Sequence, residues 1–454
     1  MGEYVHFSLS ADELGLLKHV GNAPRAVLNL PVRIDLLSEI DEEKILEAMR
    51  LTVTRLPFCT IRIHEKEDGT FSQYYCLDEP EGIELVDMSD KTDAEVDALL
   101  LKMAGTVFGN NCNDSQLYNF KLIKTPGGKY TIFFCGYHLI MDSVGVIQVI
   151  SYFDKVYSAL INGTELPEEG IGIEKHIEES WKYIGSEKEK NDIEWWCAQF
   201  ETEPVFSSMN PKGSPEYIEG KNYGKAQTFA QLRAKSMPRL IPAELVGRIN
   251  EAALSLNVSP QLYFYLALRT FLAINSGNED VTVATTGARR ATLMQKKCGM
   301  TLAHMVSWRS CIDSKNTSFR DALLKLSISQ KDIYRHISVH MSDYEKVKRE
   351  RFNVPDDAIY KTIVFTYQPY FNVENTGLRF KATHVNVGFT PYPLYMNVMP
   401  MDNSGDLWAD YIYGVGYFLP ENIERFHAFM LKFIEEGLHS PEKTVSDLAE
   451  ISLQ

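Results

Sequence analysis

The chain has 454 residues, of which 44% are hydrophobic and 24% are charged, and its formal net charge at pH 7 is −15. The length favours two domains, because a single hydrophobic core stops growing at about 250–300 residues. The acidic balance, with no basic run to offset it, disfavours nucleic acid and anionic membrane surfaces as partners.

Targeting signals and cysteine spacing add little beyond this. No apolar run reaches the roughly 18–20 residues that span a bilayer, and the N-terminus lacks the pattern of a secretory signal. The seven cysteines are widely spaced and form no CxxC pair. We therefore expect buried free thiols and a reducing, cytoplasmic location.

The first hundred residues predict a helix, a hairpin and a second helix. Apolar residues recur at helical spacing over residues 41–56, three acids open this segment, and Pro57 closes it. The sequence CTIRIHEKEDGTFSQYYC alternates around Asp68-Gly69, which predicts a hairpin. Thr92 begins the pattern TDAE, a capping box before another helix.

The stretch CGYHLIMDSVG follows a buried strand and precedes a long helix. Residues 129–136 are mostly apolar, as in a strand covered on both faces. After Asp142 the apolar spacing becomes helical until Asn162-Gly163. His138 and Asp142 thus lie four residues apart in a tight strand-to-helix turn, and residues 164–175 then form a linker.

The rest of the chain has the same mixed character. Residues 242–275 are predicted to be mostly helical, and DVTVATTGARR, residues 280–290, is a buried strand leading into a basic turn. SWRSCI and KTIVFTYQPY predict further strands, and Pro420 to Leu438 is an amphipathic helix. The chain is therefore of the α/β (α+β) class, arranged in two lobes.

Few residues in this pattern point to chemistry. A lone histidine beside a strand is usually structural, and Asp142 or Ser143 suits a helix N-cap. Arg289 and Arg290 are either solvated, or one of them turns inward to a carboxylate, since an unpaired buried aspartate is costly. The sequence has no P-loop, GxGxxG or GxSxG motif.

One further histidine pair invites a metal interpretation. His336 and His340 are spaced i and i+4 on an expected helix, which zinc can use. The HExxH glutamate and a third ligand are missing, so a helix face is the better interpretation and we predict no metal site.

YHLIMDSVG resembles the HHxxxDG motif of the acyltransferases that include nonribosomal-peptide condensation domains, plant-type acyl-CoA transferases, and carnitine and chloramphenicol acyltransferases. Several other segments resemble blocks of a condensation domain, in the right order and over nearly the whole chain. They are ILEAMRLTVTRLPFCTIRIHEKEDGTFSQYY, DIEWWCAQF, GARRATLMQKKCGM, IVFTYQPY and YIYGVGYFLPENIERFHAFMLKFIEEGL.

The resemblance implies a particular architecture. It implies two lobes, each like chloramphenicol acetyltransferase, arranged in a V with an active-site tunnel between them. We place the N-terminal lobe with the HxxxD motif at residues 1–175 and the C-terminal lobe at residues 176–454. A two-lobed monomer is the default oligomeric state.

The same resemblance assigns the site residues. His138 matches the catalytic histidine of the motif, and Asp142 matches its structural aspartate. We assign the arginine that pairs with this aspartate to Arg289, with Arg290 as the alternative. The substrate-tunnel candidates are Tyr137, Ser143, Gly145, His304 and Tyr367. Two of these depart from the motif, since Tyr137 replaces its first histidine and Ser143 replaces its glycine.

The function implied is that of a free-standing condensation enzyme that forms an amide from an acyl thioester and an amine. The donor is expected to be the phosphopantetheine of an acyl or peptidyl carrier protein, with a local basic rim to receive it, and no cofactor is bound. One alternative is a coenzyme A-dependent O- or N-acyltransferase, and another is a non-catalytic module that binds carrier proteins. The N–H groups after Asp142 are expected to face the thioester oxygen.

Overall fold

The computed structural model describes residues 4–20, 25–205, 207–215, 217, 233–354, 363–368 and 377–454. The helices of these residues are α1 Ala11–Val20, α2 Glu42–Arg55, α3 Asp93–Ala104, α4 Ser143–Asn162, α5 Glu174–Tyr183, α6 Glu187–Ala198, α7 Ala243–Leu256, α8 Gln261–Ser276, α9 Leu293–Lys297, α10 Phe319–Arg335, α11 Met341–Phe352, α12 Pro420–His439 and α13 Val445–Leu453. Short 3-10 turns occur at Arg25–Leu28, Pro57–Thr60, Asn110–Cys112 and Pro126–Gly128.

The strands are β1 Phe7–Ser8, β2 Asn29–Leu36, β3 Ile61–Glu65, β4 Phe71–Tyr75, β5 Leu85–Asp87, β6 Tyr118–Thr125, β7 Lys129–Tyr137, β8 Ala234–Ile241, β9 Asp280–Gly287, β10 His304–Cys311, β11 Ile363–Tyr367, β12 Phe380–His384, β13 Leu394–Met399 and β14 Leu407–Gly414. The expected α2, α4 and α12 and the β3–β4 hairpin are confirmed, as are β7 and β9. The capping box at Thr92 also forms, because its side chain and that of Glu95 each accept from the other's backbone N–H.

The chain divides into two compact units. The first contains Met1–Ser186, Ala288–Ala303 and Phe371–Gly388, and the second contains Glu187–Gly287, His304–Tyr370 and Phe389–Gln454. This division differs from the single boundary expected after residue 175. Helix α5 stays with the first unit because the indole N–H of Trp181 donates to the Leu9 carbonyl and Ser180 accepts from the Ala11 N–H.

The described residues of the first unit form two sheets. A five-stranded sheet has the order β12-β2-β7-β6-β5, in which only β5 and β6 pair in parallel, and a three-stranded antiparallel sheet has the order β1-β4-β3. Strand β7 is central and covered on both faces. Ile132 and Phe134 join the main core of the unit, whereas Phe133 and Cys135 pack with Val96 of α3 on the other face. This double burial explains its continuous apolar sequence.

Helix α4 packs on the inner face of this sheet together with α2. It is the described helix whose length and composition would allow it to cross a membrane, but half of its apolar window is buried inside the protein. Its buried residues include Asp154, whose carboxylate accepts the backbone N–H groups of Gly377 and Leu378. Packing of this kind is typical of a core helix.

In the part of the second unit that the structure describes, a six-stranded sheet has the order β10-β9-β11-β13-β14-β8. Strand β11 runs parallel to both of its neighbours, and the other pairs are antiparallel. Helix α8 is buried along nearly its whole length. Between β9 and β10 the chain passes through residues 288–303, which belong to the first unit.

Candidate functional site

The turn between β7 and α4 presents His138. Strand β7 ends at Tyr137, and the backbone N–H of His138 then donates to the Leu28 carbonyl at 2.7 Å. The N–H groups of Ile140 and Met141 fold back onto the Tyr137 carbonyl, at 3.0 and 3.3 Å. Because three backbone hydrogen bonds define this turn, the imidazole projects from a rigid part of the structure.

Asp142 ends the turn as the N-cap of α4, and its carboxylate is only 1% exposed. Its Oδ1 accepts the N–H groups of Val144 and Gly145, at 3.0 and 3.3 Å. Its Oδ2 accepts those of Leu302 and Ala303, at 3.0 and 3.1 Å. The cap predicted for this position is therefore confirmed, and the same carboxylate also binds the distant backbone of residues 302 and 303.

Arg290 supplies the cationic partner of this carboxylate. Its two terminal nitrogens contact the two oxygens of Asp142, each at 2.8 Å, and its side chain is 6% exposed. It also donates to the carbonyls of Cys298 and Met300, at 3.3 and 2.9 Å. Such hydrogen bonds offset part of the cost of burying the charge pair, although Nε of Arg290 has no partner among the described residues.

The assignment of this role to Arg289 is wrong, and the alternative, Arg290, is correct. Arg289 has φ of +50°, a left-handed conformation that costs a non-glycine residue on the order of 1–2 kcal/mol. The chain turns there, and the two adjacent guanidinium groups diverge. That of Arg289 reaches Asp12 Oδ1 at 2.5 Å and the Leu302 carbonyl at 3.3 Å.

The His138 ring is half-buried, and its Nδ1 lies beside the Thr301 hydroxyl. The Thr301 hydroxyl donates its single proton to the backbone carbonyl of His138, so at 3.5 Å from Nδ1 its oxygen can only accept. The ring also hydrogen-bonds to its own backbone carbonyl. Both contacts suit a neutral ring protonated on Nδ1, which leaves the lone pair of Nε2 available.

Opposing effects act on the His138 pKa, and the net effect lowers it. Burial disfavours the imidazolium and is the largest effect. The nearby Asp142 charge and the bond to the backbone carbonyl raise the pKa, but they do not offset burial. The imidazole is therefore neutral near pH 7 and can accept a proton.

Two tunnel candidates of the first unit have structural positions instead. Tyr137 is 1% exposed and packs edge-on against Phe108, with ring centroids 5.8 Å apart; burial raises its pKa. It points into the core because adjacent strand residues face opposite sides. A Cβ on Gly145 would lie 2.1 Å from the Gly299 carbonyl oxygen, so Gly145 permits close packing. Ser143, the first residue of α4, is half-buried and remains a candidate.

The other two tunnel candidates belong to the second unit. His304 begins β10, is 6% exposed, and its Nδ1 lies 3.1 Å from the Ile337 carbonyl. Tyr367 ends β11, and its ring stacks on Phe264 with centroids 5.7 Å apart. Their role toward a substrate stays a prediction.

His336 and His340 do not share a helix, contrary to expectation. Helix α10 ends at Arg335, and His340 is the N-cap of α11. His336 bonds to Asp192 at 2.7 Å, and its ring stacks on Trp195 at 4.4 Å. This environment explains His336 as a structural residue.

Three of the N–H groups expected to face the thioester oxygen are bound to Asp142. The N–H groups of Val144 and Gly145 bind the Asp142 carboxylate, and that of Val146 binds the Asp142 carbonyl at 3.0 Å. These donors are therefore already used. Sequence reasoning also missed Thr301 and Asp12, because no local pattern connects either of them with His138.

The turn therefore holds the His138 imidazole close to a buried carboxylate–guanidinium pair. A family model described as Condensation domain matches residues 22–453. The chain belongs to the condensation-domain family.

Relatives agree with this assignment. The chain is 21% identical over 422 residues to surfactin synthase subunit 1 of Bacillus subtilis (strain 168). The matched region is 91% of this chain but only 11% of that protein. Among solved structures, the first condensation domain of the calcium-dependent antibiotic synthetase, in complex with a substrate analogue, has a TM-score of 0.80 at 16% identity, covering 98% of this chain and 99% of that one. VibH, described as a condensation enzyme, has a TM-score of 0.74 at 12% identity, with coverage of 98% and 99%.

Proposed function

We propose that this protein is an acyltransferase of the condensation type that joins an acyl thioester to an amine to form an amide, with His138 as its catalytic residue. The proposed donor is the phosphopantetheine arm of a carrier protein. The observation that carries this proposal is the half-buried His138 imidazole, whose pKa is lowered by burial and whose Nδ1 faces the Thr301 hydroxyl, in a chain of this family.

The proposed step is a single acyl transfer. The amine nitrogen attacks the thioester carbonyl carbon, the C–N bond forms, and the C–S bond breaks. Nε2 of His138 accepts the proton that the nitrogen loses and returns it to the departing thiolate. Asp142 does not touch the substrate in this scheme, because all of its described contacts serve to hold the turn and residues 302 and 303.

The acceptor decides how much His138 contributes. An α-amine titrates near pH 8, so a fair fraction is already neutral and nucleophilic at pH 7. An alcohol is far less acidic and depends on a general base, which contributes about 10²–10⁴-fold. With the amine acceptor proposed above, the main role of His138 is to orient the amine and move its proton.

A coenzyme A thioester is the second candidate donor, and one relative favours it. The starter condensation domain of rhizomide synthetase, as a mutant, was solved with C8-CoA and Leu-SNAC; it has a TM-score of 0.80 at 15% identity, covering 97% of this chain and 96% of that one. That protein accommodates a coenzyme A thioester together with a second thioester. The same donor chemistry is therefore the alternative for this chain.

The test supplies three donors separately, namely an acyl-loaded carrier protein, acyl-CoA and an acyl N-acetylcysteamine thioester, with a panel of amines and alcohols. Mass spectrometry follows the product. Turnover from the carrier with an amine supports the proposal, and turnover from acyl-CoA alone supports the second candidate. H138A should lower turnover, whereas H439A, at the exposed end of α12, should leave it unchanged. Carrier binding without turnover from any donor would instead indicate a non-catalytic binding module.

A further inference from the structure

The backbone of residues 298–303 is hydrogen-bonded by Arg289, Arg290 and Asp142. Arg290 donates to the carbonyls of Cys298 and Met300, at 3.3 and 2.9 Å. Both backbone polar groups of Leu302 are hydrogen-bonded. Its N–H donates to Asp142 Oδ2 at 3.0 Å, and its carbonyl accepts from Arg289 at 3.3 Å. Thr301 therefore lies between two anchored residues.

Asp12 forms an ion pair with Arg289. Its carboxylate is 2% exposed, and it contacts Arg289 at 2.5 Å and His176 Nε2 at 3.3 Å. Arg289 keeps its left-handed backbone while making these contacts. Strained backbone of this kind persists only where surrounding interactions determine it, and it is concentrated near functional sites.

Among the contacts described for it, the Thr301 hydroxyl bonds only to His138. The proton goes to the His138 backbone carbonyl, and the oxygen faces His138 Nδ1 at 3.5 Å. A threonine that only filled space would not place both hydrogen-bonding functions on the same neighbour. The contact also opposes the tautomer with its proton on Nε2, which could not accept the proton of an incoming amine.

We propose that Thr301 is a positioning residue that fixes the orientation and tautomer of His138, and that the Asp12–Arg289 ion pair holds Thr301 in place through the Leu302 peptide. This inference rests on the proposed function of His138. It assigns a catalytic effect to α1, whose Asp12 lies 277 residues before Arg289 in the chain.

The first experiment changes the hydroxyl at residue 301. T301V keeps the shape of the side chain, and we expect kcat to fall about fivefold to tenfold, with KM changed less than about twofold, since one neutral hydrogen bond is lost. T301S should restore kcat to within about twofold of the wild type. The matched control is T52V, because buried Thr52 donates to the Ala48 carbonyl at 2.7 Å without touching His138. Unchanged kcat in T301V, or equal losses in T301S and T301V, would overturn the proposal.

The second experiment measures the coupling of Asp12 to Thr301. D12N alone should lower kcat about fivefold, whereas in the T301V background it should lower kcat less than about twofold. Independent, multiplicative losses would show that Asp12 does not act through Thr301. If D12N is too unstable to assay, R289Q replaces it in the same cycle, because it removes the same ion pair from the other side.

The third experiment needs no turnover. Nitrogen NMR of ¹⁵N-histidine-labelled protein at pH 8, with H138Q to assign the signal, reports which nitrogen of His138 carries the proton. The wild type should show Nδ1 protonated, and T301V should show a measurable fraction protonated on Nε2. The same tautomer ratio in both would overturn the role of Thr301. Absence of turnover in the wild type would instead count against the proposed function and leave this measurement valid.

Discussion

Arg290 and Asp142 form a bidentate ion pair in which each terminal guanidinium nitrogen lies 2.8 Å from a different carboxylate oxygen. The two residues are 148 positions apart in the chain, and both side chains are nearly inaccessible to solvent. The pair joins the start of α4 to residues 298–303. The position of His138 therefore depends on an interaction between two distant parts of the sequence.

Breaking this pair should strongly destabilise the fold. D142A or R290A leaves a buried charge without its partner, so we expect the free energy of unfolding to fall by about 3–5 kcal/mol. Urea denaturation measures the loss, and the double variant should cost less than the sum of the two. The control is D332A, which removes an exposed i,i+3 contact with Arg335 and should cost at most about 1 kcal/mol. Additive losses in the double variant would contradict the pairing.

Gly145 should not tolerate a side chain. A Cβ there would approach the Gly299 carbonyl oxygen to 2.1 Å and Met141 Cβ to 2.7 Å, so G145A should lower the free energy of unfolding by about 1–3 kcal/mol. Gly247 provides the matched control inside α7, because nothing lies within 4 Å of its added Cβ. G247A should stabilise the protein by about 0.5–1 kcal/mol. Equal effects of the two substitutions would contradict this explanation.

Glu13 should make stability depend on pH. Burial raises its pKa from 4.5 to about 7, and the backbone N–H of Ser10 and the amide of Gln73 donate to the same carboxyl oxygen. The folded state therefore holds a proton that the unfolded state releases above pH 4.5. The stabilising contribution is complete below pH 4.5 and is lost as the pH rises to about 7. The loss is on the order of 3 kcal/mol.

Thermal or urea unfolding between pH 4.5 and 8 tests the role of Glu13. E13Q keeps a neutral side chain of similar shape, so its stability should exceed that of the wild type increasingly as the pH rises from 4.5 to 7. E450Q, on the exposed face of α13, should follow the wild-type curve. A constant difference between E13Q and the wild type would show that Glu13 does not titrate in this range.

The acid side of the pH–rate profile should reflect His138. Because burial lowers its pKa, the neutral imidazole persists below pH 6.5 and kcat/KM should decline only below that value. An N-acetylcysteamine thioester and an acceptor amine of low pKa give a profile in which the acceptor stays neutral. A decline centred above pH 6.5 would contradict the assignment of the limb to this imidazole.

H138A should affect alcohol acceptors more than amine acceptors. An alcohol needs a general base, so its kcat/KM should fall about 10²–10⁴-fold, whereas the loss for a matched amine should be smaller. Kinetics of H138A and the wild type on a matched amine and alcohol compare the two losses of kcat/KM. Equal losses would indicate that His138 acts on a step common to both acceptors.

Local sequence patterns determined the elements that build the site. Helical periodicity and end signals predicted α2, α4 and α12, and a continuous apolar run predicted β7. Such patterns indicate which faces of an element are buried. The position of His138 and the capping role of Asp142 followed from the change in period between β7 and α4. These features depend on residues a few positions apart, so neighbouring sequence is enough to predict them.

Only the tertiary structure decided which distant groups meet around His138. Arg289 and Arg290 are equivalent in sequence, and the left-handed turn at Arg289 directs one to Asp12 and the other to Asp142. Thr301 reaches His138 across 163 residues of sequence, a contact that no local pattern records. Likewise, Val144 and Gly145 lose their expected role because their N–H groups are already bound to Asp142. Long-range pairing depends on where the backbone turns and on which donors remain unused, and both are set by the packing of the whole unit.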